Sequence, residues 1–148
     1  MKYVPVLFLM AISLNGFAQK NKASAKKDTL RISCPLTGAV EVIEKQAYSM
    51  GKEFKIILSS PSDTTVKAGI AGTVSNLQQD EDKKWIVVVY YKNYYLWYSG
   101  ISKPTVKEDQ KVKAGDTLGF IETGGKLELH VFDFETPVDP KKYLDCKM

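Results

Sequence analysis

The chain holds a single histidine, His130, in the stretch Leu127-Glu128-Leu129-His130-Val131. Imidazole ligates zinc and moves protons near neutral pH. Carboxylates join it in metal sites, so the partners on offer are Glu128, two positions earlier, and Glu53, far upstream. Strand alternation puts Glu128 and His130 on one face and Leu127, Leu129 and Val131 on the other. A zinc site draws on three or four well-placed ligands and a supporting hydrogen-bond shell. One imidazole with two glutamates is a thin set, and the alternative is a histidine hydrogen-bonded to a neighbour in a filled-in groove.

Two other groups of residues carry chemistry. Tyr90, Tyr91, Tyr94, Tyr95, Trp97 and Tyr98 crowd one short region. On alternating strands about half of such rings face a core and the rest form an outer ladder. Tyr94, Trp97 and Tyr98 are the binding candidates, for sugar stacking or a protein partner, against the plainer reading of hairpin packing. Cys34 and Cys146 bracket nearly the whole region that can fold. In an exported chain a bridge between them would staple its two ends; two buried free thiols is the other reading.

The elements that must position these residues read as strands. Short β-branched and aromatic runs alternate with Gly, Asn, Asp and Pro, and no stretch is long and periodic enough for a helix. The fold class is all-β, built from antiparallel hairpins, with strands over 54–58, 72–77, 85–91, 94–98, 117–122 and 127–134. Lys92-Asn93 closes a hairpin, Asn tolerating the positive φ that tight turns require. Val-Lys-Ala-Gly occurs twice, at Val66–Gly69 and Val112–Gly115. Each copy precedes a turn and a new strand, so two quasi-equivalent units are expected around one core.

The N-terminus reads as a signal peptide over residues 1–18. Lys2 precedes an apolar run from Val4 to Leu14, and Gly16 and Ala18 have the spacing of a cleavage site. That run falls short of the roughly 20 residues that span a bilayer. No cysteine adjoins Ala18, so a lipid anchor there is unsupported, and the mature chain is expected to be exported, periplasmic or extracellular, with no transmembrane segment. The formal charge is +4. Of the 21 Lys and Arg, Lys2, Lys20, Lys22, Lys26 and Lys27 precede Asp28, leaving 16 against all 17 acidic residues. Residues 19–28 therefore read as a flexible lysine-rich tether, residues 29–148 as one domain, and nucleic acid is excluded as a partner.

Longer motifs give the sequence a family likeness. Pro61 to Ala68 followed by Gly72-Thr73-Val74 matches a loop-and-strand pattern, and Leu96-Trp97-Tyr98-Ser99-Gly100-Ile101-Ser102 matches the end of a hairpin. Val106 and then Gln110 to Gly119 fit a "V-x-x-G-D-x-V-x-x-G" type segment, and Pro137-Val138-Asp139-Pro140-Lys141-Lys142-Tyr143-Leu144 closes the match. Over roughly residues 52–144 the chain resembles lysostaphin-type (LytM-like) zinc peptidases, enzymes that cut peptidoglycan. The resemblance implies a single β-barrel or sandwich domain with a duplicated hybrid motif.

It also implies a zinc ion held by two histidines and an aspartate, with further histidines handling protons. Here the matching ligand positions hold Glu53 and Ile57, then Glu128 and His130, and the catalytic histidine after the hairpin is replaced by Gly100. An isoleucine cannot ligate, so the expectation is a catalytically silent relative with no metal or catalytic residues, its zinc lost. Such degenerate domains act by binding, here to peptidoglycan or to a cell-wall hydrolase or other envelope protein, including as regulators. The alternative is an active metalloendopeptidase with an atypical site from Glu53, Glu128 and His130. A biotin or lipoyl carrier is a poorer fit, because Lys126 after Gly124-Gly125 lacks the methionine or aspartate neighbours of a carrier lysine.

Overall fold

The computed structural model describes residues 29–45 and 53–148. The expected signal peptide and tether lie outside these residues. In chain order the strands are β1 (Ile32–Ser33), β2 (Val40–Glu41), β3 (Ile56–Ser59), β4 (Thr65–Lys67), β5 (Gly72–Gln79), β6 (Trp85–Tyr91) and β7 (Tyr94–Ile101). They continue with β8 (Lys103–Pro104), β9 (Lys111–Val112), β10 (Thr117–Phe120), β11 (Leu127–Asp133), β12 (Thr136–Val138) and β13 (Leu144–Asp145). A short 3-10 turn, Pro140–Lys142, precedes the last strand, its first turn capped by the Asp139 carboxylate. The chain is thus all-β, and among the described residues no helix is long and apolar enough to cross a membrane.

The large sheet runs β2-β3-β11-β7-β6-β5-β9. β11 is its spine, pairing with β7 along one edge and with β3 and then β12 along the other. A smaller sheet has the order β4-β10-β8. Among the described residues the strand path is open at β2 and β9, and no closed barrel forms. All these pairs are antiparallel except β1 with β13, which is parallel.

The two Val-Lys-Ala-Gly copies explain how the sheets interlock. Val66 and Lys67, from the first copy, pair with Gly119 and Thr117, which follow the second. Val112, from the second copy, pairs with Gly72, which follows the first. The Ala68 N–H donates to the Asp116 carbonyl and the Gly115 N–H donates to the Ala68 carbonyl, both at 2.8 Å. Each copy therefore builds its ladder with the strand of the other unit, which satisfies the backbone groups that a lone hairpin would leave open.

Both sheets feed one core. Val66 and Leu118 come from the small sheet, and Val74, Val87, Val89, Leu96, Leu127, Leu129 and Val131 from the large one, all fully buried. Along β11 the pattern is the expected one, with Leu127, Leu129 and Val131 inward and Glu128, His130 and Phe132 partly exposed. The ends of the described region meet at the bottom of this core. Ile32 pairs with Leu144, and a Cys34–Cys146 disulfide joins segments 112 residues apart in sequence.

The Lys92-Asn93 hairpin forms as expected, but the positive φ falls on Lys92, at 55°. Asn93 has a different task. Its side-chain amide donates to the Asp133 carboxylate, and its carbonyl accepts the Phe134 N–H at 2.7 Å. These bonds tie the tip of the β6–β7 hairpin to the tip of the β11–β12 hairpin.

Candidate functional site

The outward face of β11 and the strands beside it carry every position that the resemblance marks. Register sets the arrangement: Glu128 lies opposite Ile57 on one side and Ser99 on the other, and His130 lies opposite Trp97. Residues 53, 55 and 57 alternate onto this same face as the chain enters β3.

Lys55 occupies the middle of the site. Its Nζ donates to Glu128 Oε1 at 3.1 Å and lies 3.3 Å from Glu53 Oε2. Burial of the ammonium works against its charge, but the hydrogen bonds and attraction of Glu128 and Glu53 outweigh that and hold the Lys55 pKa above its ordinary value. His130 Nε2 stands 3.7 Å from Glu53 Oε1. Glu53, Lys55, Glu128 and His130 thus form one polar cluster, with the buried Ile57 opposite Glu128 on the neighbouring strand.

This cluster does not fit a zinc ion. Ile57 has no lone pair to offer, and the two carboxylates that remain are already bridged by a lysine ammonium, which a dication would have to displace. Among the described residues no group of three or more His, Cys, Asp or Glu is placed to hold a metal. Lys55 was not singled out from sequence, although its place midway between positions 53 and 57 would have put it on the ligand face.

Gly100, which the resemblance marks as a catalytic position, is held in a sterically tight backbone. Its φ is +98°, and a Cβ there would meet the Lys126 carbonyl oxygen at 2.4 Å. It sits in a register break, since Ser99 and Ile101 pair with Ile86 and Trp85. A bulged residue with positive φ is a glycine position, so this backbone has no room for an imidazole on residue 100.

The aromatic candidates separate by face. Tyr98 is fully buried, with its hydroxyl accepting the Gly69 N–H at 2.8 Å, and that burial pushes its pKa up. Tyr94 packs at the core edge against Tyr143, ring centres 6.4 Å apart. Both were expected as binding residues; Tyr98 is corrected to a structural one, while Tyr94, on the same face of β7 as Leu96, is half-buried and lines a separate open pocket with Arg31, Ile70 and Lys92. Only Trp97 of the three faces out. It is joined there by Tyr95 and Tyr90 of the same aromatic run and by Phe132, which the sequence reading passed over. Phe132 lies 5.3 Å from Trp97 and stacks on His130 at 6.5 Å, and Tyr95 lies 4.8 Å from Tyr90. Tyr95, Trp97, Phe132, Phe134, Glu135 and Thr136 line an open pocket of about 830 Å³ beside the polar cluster.

Comparison with known proteins places this arrangement. Residues 31–140 match peptidase family M23. No curated protein matches the chain. Among solved structures, the SpoIIQ–SpoIIIAH pore-forming complex is similar at a TM-score of 0.59 and 16% identity, covering 79% of this chain and 92% of that one. Csd3 of Helicobacter pylori is similar at a TM-score of 0.64 and 16% identity, and the match covers 79% of this chain but 35% of Csd3. The catalytic domain of the prophage-encoded M23 protein EnpA of Enterococcus faecalis, as a point mutant, is similar at 0.58 and 19% identity, with 78% and 96% covered. At these identities the likeness speaks for the fold.

Proposed function

The chain belongs to peptidase family M23, and from that premise we propose that it is an exported, catalytically inactive member that works in the cell envelope by binding. Its partner is peptidoglycan or a wall hydrolase or other envelope protein, and in the second case its role is that of a regulator. The observation that carries this reading is the Lys55 ammonium bridging Glu53 and Glu128 beside Ile57. A cation already bound in the protein replaces the one that would polarise a peptide carbonyl and activate water.

Two further features support it. Gly100 leaves no space for a second imidazole, and general acid–base chemistry with one histidine against Glu53 lacks the metal-bound nucleophile that the family's reaction uses. An open pocket walled by the aromatic residues Tyr95, Trp97, Phe132 and Phe134 lies beside the polar cluster. Concave surfaces with apolar walls and a few polar groups are where ligands bind. A protein partner has a parallel in the SpoIIQ–SpoIIIAH complex, which shares the fold. Export rests on the N-terminal sequence, with cleavage after Ala18.

The test is zinc content by mass spectrometry on purified residues 19–148 after incubation with zinc, together with a peptidoglycan digestion assay. The expected result is no stoichiometric zinc and no released muropeptides. Retained zinc with muropeptide release would establish the atypical-site peptidase instead, with Glu53, Glu128 and His130 as its ligands.

A further inference from the structure

The aromatic pocket beside the polar cluster has a composition with a definite chemical preference. Three rings, from Tyr95, Trp97 and Phe132, stand on neighbouring strands β7 and β11, and a fourth, from Phe134, stands at the hairpin tip. The pocket's one charged lining residue is Glu135. Among the described residues no cation pairs with that carboxylate. Ring faces carry negative electrostatic potential and attract cations, more strongly where water is partly excluded. Four rings and a carboxylate therefore favour an ammonium over an anion or a neutral group.

Phe134 gives an independent reason to read the pocket as built for a ligand. Its φ is 53°, in the left-handed region that bulky residues avoid, and the residue is 70% exposed. A glycine or asparagine would hold this turn with less strain, and the exposed ring contributes little to the core. The strained backbone is nevertheless held in place, by the Asn93 carbonyl on the Phe134 N–H and the Asn93 amide on Asp133. An observed backbone outlier kept by surrounding bonds at a pocket edge points to function.

We infer that this pocket binds a protonated primary amine on an aliphatic stem, presented by a short wall peptide with a free side-chain amine. The inference rests on the binding role proposed above and names what the groove recognises. The ammonium lies against the rings of Trp97, Phe132 and Phe134 with Glu135 as its counter-charge, and the aliphatic stem covers the remaining ring surface. A wall peptide is favoured over a folded partner because the pocket, about 830 Å³ and open on one side, matches a few extended residues.

The experiment follows the indole N–H of Trp97 by NMR in the mature chain, with Trp85 as internal control. The probes are an Nα-acetylated Ala-Ala-Lys amide and the same peptide acetylated on its side-chain amine. The free amine should shift the Trp97 signal and bind about fivefold more tightly than the acetylated peptide, the scale of a cation–π contact near the surface. Glu135→Gln and Phe134→Ala should each remove most of that preference without lowering Tm. Equal binding of the two peptides, or no shift at Trp97, overturns the ammonium site. Sedimentation with purified sacculi separates this from the broader reading. Capture that survives acetylation of sacculus amines, with no preference at Trp97, leaves wall binding standing and sinks the amine pocket. An amine preference at Trp97 without sacculus capture overturns the wall peptide as source and assigns the site to a lysine of a protein partner.

Discussion

Lys55 Nζ donates to Glu128 Oε1 across 3.1 Å, joining residues 73 apart in sequence, Lys55 just before β3 and Glu128 on its neighbour β11. The same ammonium reaches Glu53 at 3.3 Å. Lys55 is thus held between two carboxylates, and the stability of this ion-pair cluster is a measurable property.

Lys55→Met should lower stability by about 1 kcal/mol, because it leaves Glu53 and Glu128 facing each other without a counter-charge. The pH dependence has a definite sign. The Lys55 pKa is raised above 10.5 in the folded protein. Its contribution is therefore fully present below 10.5 and is lost as pH rises through the higher folded value. Urea midpoints of wild type and variant, measured from pH 8 to beyond 11, should converge at the alkaline end. A constant gap across that range would show that the ammonium's charge is not what matters.

Placing a histidine at residue 100 by itself should fail to create a metal site. Gly100→His places a Cβ 2.4 Å from the Lys126 carbonyl in a backbone with φ of +98°, so the strand must shift. A loss of at least about 2 kcal/mol is expected, with no gain in zinc affinity. Calorimetric Tm and a zinc titration check this together; an unchanged Tm would mean the bulge adapts freely.

Tyr98→Phe isolates one hydrogen bond in the core. The substitution keeps the ring and removes the only oxygen shown accepting the buried Gly69 N–H. An unsatisfied buried donor costs about 1–3 kcal/mol, which corresponds to a Tm fall of roughly 5 °C or more in a domain of this size. Ligand binding on the outward face should not change, since the Tyr98 ring lies wholly in the core.

Replacing Cys34 and Cys146 together by serine should cost about 4–5 kcal/mol by loop entropy, given a closed loop spanning 112 residues. Denaturation of the wild type with and without a reducing agent should show a gap of the same size. If the variant and the oxidised wild type melt together, the bridge constrains nothing that the β1–β13 pairing does not already hold.

Some of this protein is written locally in its sequence. The period-2 alternation along Leu127–Asp133 is a property of the extended backbone, so Leu127, Leu129 and Val131 are inward whatever β11 pairs with. The hairpin at Lys92-Asn93 follows from two β-rich runs and a two-residue break. That Ile57 cannot ligate a metal follows from its chemistry, since no fold gives an alkyl side chain a lone pair.

Other features exist only through long-range register. Sequence grouped Tyr94, Trp97 and Tyr98 as one aromatic cluster, but only the face that β7 turns to the core decides that Trp97 reaches the pocket and Tyr98 does not. The reciprocal pairing of the two Val-Lys-Ala-Gly units depends on which strands meet, and a repeat read along the chain is silent on that. Gly100 reads as a missing histidine in the motif, and the packing of Lys126 against it shows why no side chain fits. The Lys55 ion pair and the pocket under Phe134 belong to the same class. Each joins groups from different strands, where contact is set by the three-dimensional closure of the sheet and not by neighbouring residues.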